Sequence, residues 1–247
     1  MKQRSLATAT STIARAALMS AAVTIGSSML APGAWAISFD LPTTPCSPCG
    51  GSVSAHADVT LGTNTLTVVL TNTENPASLS LGQLVSGFDI TFGTAIGSVS
   101  GLTQAGQLIT VSDKASGGVV TPINGNPDHW GAAVNASGTL FIATAGFGSQ
   151  PMNPINMIIS GNTSSNFNQD GLTNTNQQPF IQGPGTFSLT VPGLTSATSI
   201  TSVSFEFGTG PEADFVVPGP IVGAGLPGLI AACTGLVALA RRRRKIA

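Results

Sequence analysis

The amino-acid sequence predicts an all-β protein: an antiparallel β-sandwich at residues 37–216, with an N-terminal signal peptide and one C-terminal transmembrane helix. Apolar residues recur at every second position in several short segments, and clusters of Gly, Asn and Pro separate these segments. No long amphipathic helix pattern occurs between residues 37 and 216. One apolar face and one hydroxyl-rich face is typical of antiparallel sheets that have one face in solvent.

The predicted strands are five segments of period-two alternation, which lie at residues 66–71, 88–92, 140–143, 187–191 and 203–207. Their topology is left open between a jelly roll and an immunoglobulin-like arrangement. Residues 37–57 carry no such pattern and are expected to form an irregular lead-in. Residues 161–185 are rich in Asn, Gln and Gly, which predicts a long polar loop.

Charge is distributed unevenly along the chain. Only 8% of the residues are charged, against roughly 25% in ordinary soluble domains. The segment 37–216 holds all ten acidic residues and one basic residue, Lys114, which gives it a formal charge of −9. Because such a body repels phosphate backbones, nucleic acid is not an expected partner.

The first 36 residues have the pattern of a secretory signal peptide. Basic residues at the start precede an uncharged stretch, residues 16–35, which has an apolar middle. The sequence Ala34-Trp35-Ala36 has the small-x-small form of a cleavage site, so we expect signal peptidase to cut after Ala36. The expected partners in export are the secretion machinery, signal peptidase and the inner membrane.

The end of the chain predicts a single membrane span. Residues 221–240 carry no charge, and a helix of twenty residues is about 30 Å long, the thickness of the hydrocarbon core. A basic cluster follows directly and stays on the cytoplasmic side of a membrane. This cluster consists of Arg241, Arg242, Arg243, Arg244 and Lys245.

Three glycines in the first half of this predicted span spell G-x-G-x-x-G, the pattern of a dinucleotide-binding loop: Gly223, Gly225 and Gly228. Such a loop needs a strand before it and a helix N-terminus after it. Here Pro218 and Pro220 stand where the strand is needed, and Pro227 interrupts the motif. The sequence therefore argues against a nucleotide site.

The whole tail, VPGPIVGAGLPGLIAACTGLVALARRRRK, combines a short proline motif, an apolar span and a basic cluster. It resembles the PEP-CTERM sorting signal of Gram-negative bacteria, whose common form opens with Val-Pro-Glu-Pro. The resemblance covers residues 217–247, with the motif at 217–229, and implies processing by an exosortase, a membrane-embedded protease or transpeptidase. The motif residues are Val217, Pro218, Gly219, Pro220, Gly223, Gly225, Leu226, Pro227 and Gly228. Gly219 stands where the common form has glutamate. The alternative interpretation is a plain membrane anchor.

Cys46 and Cys49 form a C-x-x-C pair, which in an exported chain predicts a short-loop disulfide. The neighbouring His56 and Asp58 leave a mixed metal site as an alternative.

Two further segments are candidate binding sites. Residues 166–171 partly match a calcium loop, but the twelfth position holds Gln177 where a bidentate glutamate is expected. The sequence Asp128-His129-Trp130 could belong to a sugar-binding face, although core packing of Trp130 is the favoured interpretation because Tyr is absent and aromatics are few.

The function expected from these patterns is that of an exported, surface-sorted structural or adhesive protein. By resemblance, such proteins belong to the cell envelope or exopolysaccharide matrix, so exopolysaccharide is a further candidate partner. A carbohydrate- or calcium-binding module is the first alternative, and a secreted hydrolase is the second. No catalytic residues, metal site or cofactor are predicted, because the acids are scattered and only two histidines are present.

Overall fold

The computed structural model describes residues 36–75, 79–144, 155–161, 167, 169, 171–209 and 214–219. These residues are all-β, as the alternation predicts, and they contain two 3₁₀ helices of one turn, at Leu81–Gln83 and Lys114–Ser116. The strands are β1 (Ala36–Cys46), β2 (Gly51–Gly62), β3 (Thr65–Asn72), β4 (Val85–Phe92), β5 (Ser100–Ser112), β6 (Val119–Ile123), β7 (Gly131–Val134), β8 (Leu140–Ala143), β9 (Ile158–Ile159), β10 (Phe180–Thr190), β11 (Ile200–Phe207) and β12 (Asp214–Pro218).

Hydrogen bonds join the described strands in the order β1-β2-β3-β10-β9-β4-β11-β12. The hairpin β5–β6 attaches to β10, and the hairpin β7–β8 attaches to β4. Strand β9, only two residues long, pairs parallel with β10 and antiparallel with β4, and so links two larger antiparallel groups. The first and last strands of the path, β1 and β12, contact each other.

The main core is built from buried side chains of both groups. Alternate residues of nearly every long strand are buried in it, which is why the period-two segments predicted strands correctly. The rings of Phe88 and Phe205 lie 5.1 Å apart in this core, and those of Trp130 and Phe187 lie 4.4 Å apart.

The expectation of an irregular lead-in at residues 37–57 is wrong, because β1 and most of β2 occupy it. The pattern is obscured by the composition of these strands. Strand β1 contains Pro42 and Pro45, and its register with β2 shifts between Leu41 and Thr44. A proline is tolerated there because β1 is an edge strand, whose outer N–H groups need no partner.

The expectation of a polar loop at residues 161–185 also needs correction. Strand β10 begins at Phe180, so the last part of this segment is sheet. Phe167 and Leu172 are buried in a second apolar cluster together with Phe180 and Met157. Two isolated apolar residues among Asn and Gln give no periodic signal, which is why the sequence did not reveal this cluster.

The last described strand crosses the predicted boundary between body and sorting signal. Strand β12 continues through Val217 and Pro218, two residues into the segment assigned to the sorting signal. A strand therefore does precede the glycine motif, contrary to the prediction that prolines replace it. It is an antiparallel edge strand, paired only with β11 among the described strands.

Candidate functional site

The start of the predicted sorting motif is paired with the body of the protein. Val217 lies opposite Val203, and Pro218 lies opposite Ser202. The backbone N–H of Gly219 donates a hydrogen bond of 2.7 Å to the carbonyl oxygen of Thr201. The rest of the motif, from Pro220 onward, lies outside the described residues, as do the predicted span and basic tail.

Pro218 occupies a position where its missing N–H costs no ladder hydrogen bond. In an antiparallel pair, hydrogen-bonded and non-hydrogen-bonded positions alternate. Because Gly219 bonds to Thr201, the neighbouring pair of Pro218 and Ser202 is a non-hydrogen-bonded one. The nitrogen of Pro218 therefore faces the free edge, where proline is accepted in a sheet.

Gly219 is packed so closely that a larger residue does not fit. A Cβ atom built on it falls well inside van der Waals distance of the carbonyl oxygen of Ile200. Glycine at this position therefore allows the motif backbone to lie against β11.

Two carboxyl groups that are far apart in the sequence lie together on the outward face beside this strand. Asp89 on β4 lies opposite Ser204 on β11, and Glu206 lies two positions further along β11. A side-chain hydrogen bond joins Asp89 and Glu206. Asp214, the first residue of β12, lies directly opposite Glu206. Three acids from three neighbouring strands therefore surround one patch of the sheet.

Burial and neighbouring negative charges raise the pKa values of both Asp89 and Glu206. Burial, followed by the negative charges of Glu206 and Asp214, raises the pKa of Asp89 to about 8. Burial and Asp214 raise the pKa of Glu206 to about 7, although the hydrogen bond from Asp89 acts in the opposite direction. Asp89 is therefore the protonated member of the pair, and its O–H donates the hydrogen bond to Glu206.

A ladder of polar side chains crosses the outward face of β1 and β2. His56 Nδ1 lies 2.6 Å from Asp40 Oδ1, and His56 Nε2 lies 3.2 Å from Asp58 Oδ1. The hydroxyl of Ser38 donates a hydrogen bond to Asp58. In a hydrolytic triad the imidazole accepts a proton from the hydroxyl. Here both ring nitrogens contact carboxylates instead, so this ladder does not activate Ser38.

We expect the imidazole of His56 to titrate above its ordinary pKa. Partial burial lowers this pKa, but hydrogen bonds and charge from Asp40 and Asp58 raise it by more. In an NMR titration the Asp40→Asn variant should show a lower His56 midpoint than the wild type, because one of the two stabilising charges is gone. The Asp113→Asn variant, altered at a distant exposed acid, is the control. Equal His56 titration midpoints in Asp40→Asn and wild type would contradict the interaction between Asp40 and His56.

Within the segment Asp128-His129-Trp130, the tryptophan ring is packed in the core and not displayed at the surface. Trp130 is only 3% exposed, and its indole N–H donates a hydrogen bond of 2.8 Å to the carbonyl of Asn156. The side chain of Gln104 holds both the N–H and the carbonyl of Trp130. His129 Nε2 lies 3.4 Å from Asp128 Oδ1 at the surface. Core packing of the tryptophan is therefore confirmed.

Cys46 and Cys49 are joined as a disulfide, with their Cα atoms 5.2 Å apart. Their thiolates are consequently not free to ligate a metal with His56 and Asp58. In the described ranges, no group of three or more His, Cys, Asp or Glu residues is arranged to hold a metal ion. Three of the candidate calcium donors, at positions 166, 168 and 170, lie outside those ranges.

A shallow groove of about 380 Å³ crosses the outward face of β3, β10 and β5. Hydroxyl groups line it without any charged residue, and Thr67 and Ser188 oxygens lie 3.1 Å apart within it. Gly101, with a φ of 64°, leaves space beside Thr190 where the β5–β10 register shifts. The groove is lined by Thr65, Leu66, Thr67, Gly101, Thr103, Ser188, Leu189 and Thr190. Its chemistry suits a neutral polar ligand.

Within the described part of the chain, no helix has the length and apolar character needed to cross a membrane. No protein-family model and no curated protein matches the chain.

Proposed function

We propose that this chain is exported by a Gram-negative bacterium and sorted to the cell surface, where its β-body is a structural or adhesive component of the envelope or exopolysaccharide matrix. The observation that carries this proposal is the three-part tail: a proline motif at 217–220, an uncharged stretch at 221–240 and five cations at 241–245. An exosortase is the proposed processing partner. The proposed role is non-catalytic and requires no cofactor.

Export is proposed to begin with the signal peptide, residues 1–36, cleaved after Ala36. Strand β1 begins at Ala36, so this cleavage would remove one residue of the strand and leave its pairing with β2 from Ile37 onward. The tail would then stop transfer, with the body outside and the basic residues inside. These two signals agree on the same orientation.

For the body we propose a β-sandwich formed by the two antiparallel groups that β9 links. The main core, built from buried side chains of both groups, and the contact of β1 with β12 support this architecture. Hydroxyl groups instead of charges cover much of the outward face of β3, β5 and β10. Such a surface suits association with hydrated neutral polymers.

Intact-mass analysis of protein from the native host tests the sorting proposal. We expect wild-type protein to begin at Ile37 and to have lost or exchanged its C-terminal tail. The Pro218→Ala/Pro220→Ala variant should lose the signal peptide but keep the chain to Ala247, because the processing enzyme no longer recognises the motif. The Pro42→Ala/Pro45→Ala variant, altered on edge strand β1, is the matched control and should be processed normally. A wild-type mass that includes both termini would contradict the proposal.

A second candidate function is binding of neutral glycans in the hydroxyl-lined groove, which the absence of charge from its lining favours. With a soluble oligosaccharide at ten times its Kd, binding adds about 1.4 kcal/mol to stability, or about 3–6 °C in Tm. The Thr67→Val/Thr103→Val variant should lose this shift while Thr110→Val, outside the groove, retains it. Unchanged melting of the wild type across neutral glycans and calcium chloride would reject this function.

A further inference from the structure

The described body ends very close to the predicted membrane span. Strand β12 ends at Pro218, and the uncharged stretch begins at residue 221. Only Gly219 and Pro220 lie between them, so an extended chain carries residue 221 at most about 10 Å from Pro218. A body held this close to the membrane leaves little room for an enzyme to reach the motif while β12 remains paired.

The first half of the motif is also stabilised by the body. The side chain of Val217 packs against the main core, and the N–H of Gly219 is bonded to Thr201. The edge of the motif that faces β11 is therefore occupied. Enzymes that bind an extended peptide use its free backbone groups and its alternate side chains. Both are partly unavailable in the paired strand.

Gly219 is the residue that permits this arrangement. The carbonyl of Ile200 occupies the space that a Cβ atom would need, so no other residue fits without displacing the strand end. The glutamate of the common form could not lie here. The lack of a side chain at Gly219 and the hydrogen bond from its N–H both fit a motif that pairs with β11.

We propose that residues 214–219, the docked segment, hold the sorting motif in a form that cannot be processed, and that processing requires the segment to separate from β11. The proposal rests on the proposed function, in which an exosortase recognises this motif. The docked segment then makes the rate of processing depend on local opening of the folded body. A protein whose docked segment opens rarely is therefore processed slowly, and one whose docked segment opens often is processed quickly.

A disulfide outside the motif tests this directly. Ser204 and Val216 lie opposite each other, two residues along the ladder from Ser202 and Pro218, and like them form a non-hydrogen-bonded pair. In such pairs the two Cα atoms are about 4.5 Å apart. This separation suits a disulfide. In native-host membranes we expect the oxidised Ser204→Cys/Val216→Cys variant to be processed about tenfold more slowly than wild type, or slower still, and to recover after reduction with dithiothreitol.

The matched control is a Thr110→Cys/Thr121→Cys variant, whose cysteines lie opposite each other on β5 and β6, away from β12. Its processing should follow the wild type in both redox states. If the oxidised Ser204→Cys/Val216→Cys variant, in which a disulfide joins β12 to β11, is processed as fast as this control, the docked segment does not limit processing and the proposal is wrong.

The opposite change should accelerate processing. Phe215 packs edge-on against Phe207, with ring centroids 5.8 Å apart, and lies outside the motif. The Phe215→Ala variant should expose the docked segment more often, and we expect processing to rise several-fold while hydrogen exchange in β2 and β3 stays unchanged. Slower or equal processing of a folded Phe215→Ala protein would also overturn the proposal.

Hydrogen exchange separates the two proposals from each other. In the full-length unprocessed chain, the Gly219 amide should exchange at least about tenfold more slowly than in a free peptide, and Phe215→Ala should remove that protection. A Gly219 amide that exchanges as fast as in a free peptide overturns docking, whatever the processing result. If docking is observed but no variant, wild type included, is processed, the proposed function fails and docking has no role in processing.

Discussion

Replacing Trp130 with alanine is expected to lower the free energy of unfolding by about 4 kcal/mol. The side chain is only 3% exposed and stacks at a tilt on Phe187, with ring centroids 4.4 Å apart. Its removal leaves a cavity in the main core. It also leaves the carbonyl of Asn156 without its 2.8 Å donor. Chemical denaturation should show a lower midpoint with an unchanged denaturant dependence.

The Trp130→Phe variant separates the two contributions. Phenylalanine retains most of the packing on Phe187 but cannot donate to Asn156, so we expect a smaller loss of about 1–2 kcal/mol. If Trp130→Ala were as stable as wild type but had lost binding to a glycan, the tryptophan would instead belong to a binding surface. The burial of its ring argues against that outcome.

Strands with strict alternation could be predicted from the sequence because burial follows the same period. In β4, Phe88 and Ile90 are buried while Asp89 between them is half-buried. In β11, Val203, Phe205 and Phe207 repeat this pattern. Where a strand lies at an edge, fewer of its residues are buried. Strand β1 contains two prolines and buries only Phe39, Leu41 and Cys46, so its sequence resembles an irregular segment.

The candidate sites also differ in how far each could be predicted from the sequence. The sorting motif is contiguous, so it could be recognised from sequence, but its pairing with β11 could not. The pairing of Asp89 with Glu206 depends on which strands are neighbours, and the two residues lie far apart in the chain. A signal was nevertheless present, because each acid lies between two buried apolar residues and so faces outward on its strand. Only the β4–β11 register brings them together.

This carboxyl pair should make the protein less stable as the pH rises. Both groups bind a proton more tightly in the folded state than in the unfolded chain, where their pKa values are about 4. Below pH 4 both states are protonated and the pair costs nothing. Between about pH 4 and pH 8 the unfolded chain loses its protons first, so the free energy of unfolding falls with rising pH.

The Asp89→Asn variant should remove most of this pH dependence. Asparagine is neutral at every pH and can still donate a hydrogen bond to Glu206. At pH 8 we expect the variant to be more stable than wild type by about 2 kcal/mol, a value reduced for the remaining solvent contact of the pair. At pH 4 the two proteins should be equally stable. Thermal or denaturant unfolding across this pH range provides the measurement.

Two variants identify the source of the effect. Glu206→Gln should act in the same direction as Asp89→Asn, because either change removes one member of the repelling pair. Ser204→Ala, opposite Asp89 in the register, cannot titrate and should give a curve parallel to wild type.

The His56 ladder also loses stability as pH rises above about 6.5, but it is present in every variant and cancels from the differences. Parallel curves for Asp89→Asn and wild type from pH 4 to pH 8 would show that the two carboxyl groups do not share a protonated, half-buried site. Asp214 faces Glu206 from β12 and raises its pKa, so ionisation of Glu206 adds repulsion between β11 and the strand that carries the motif.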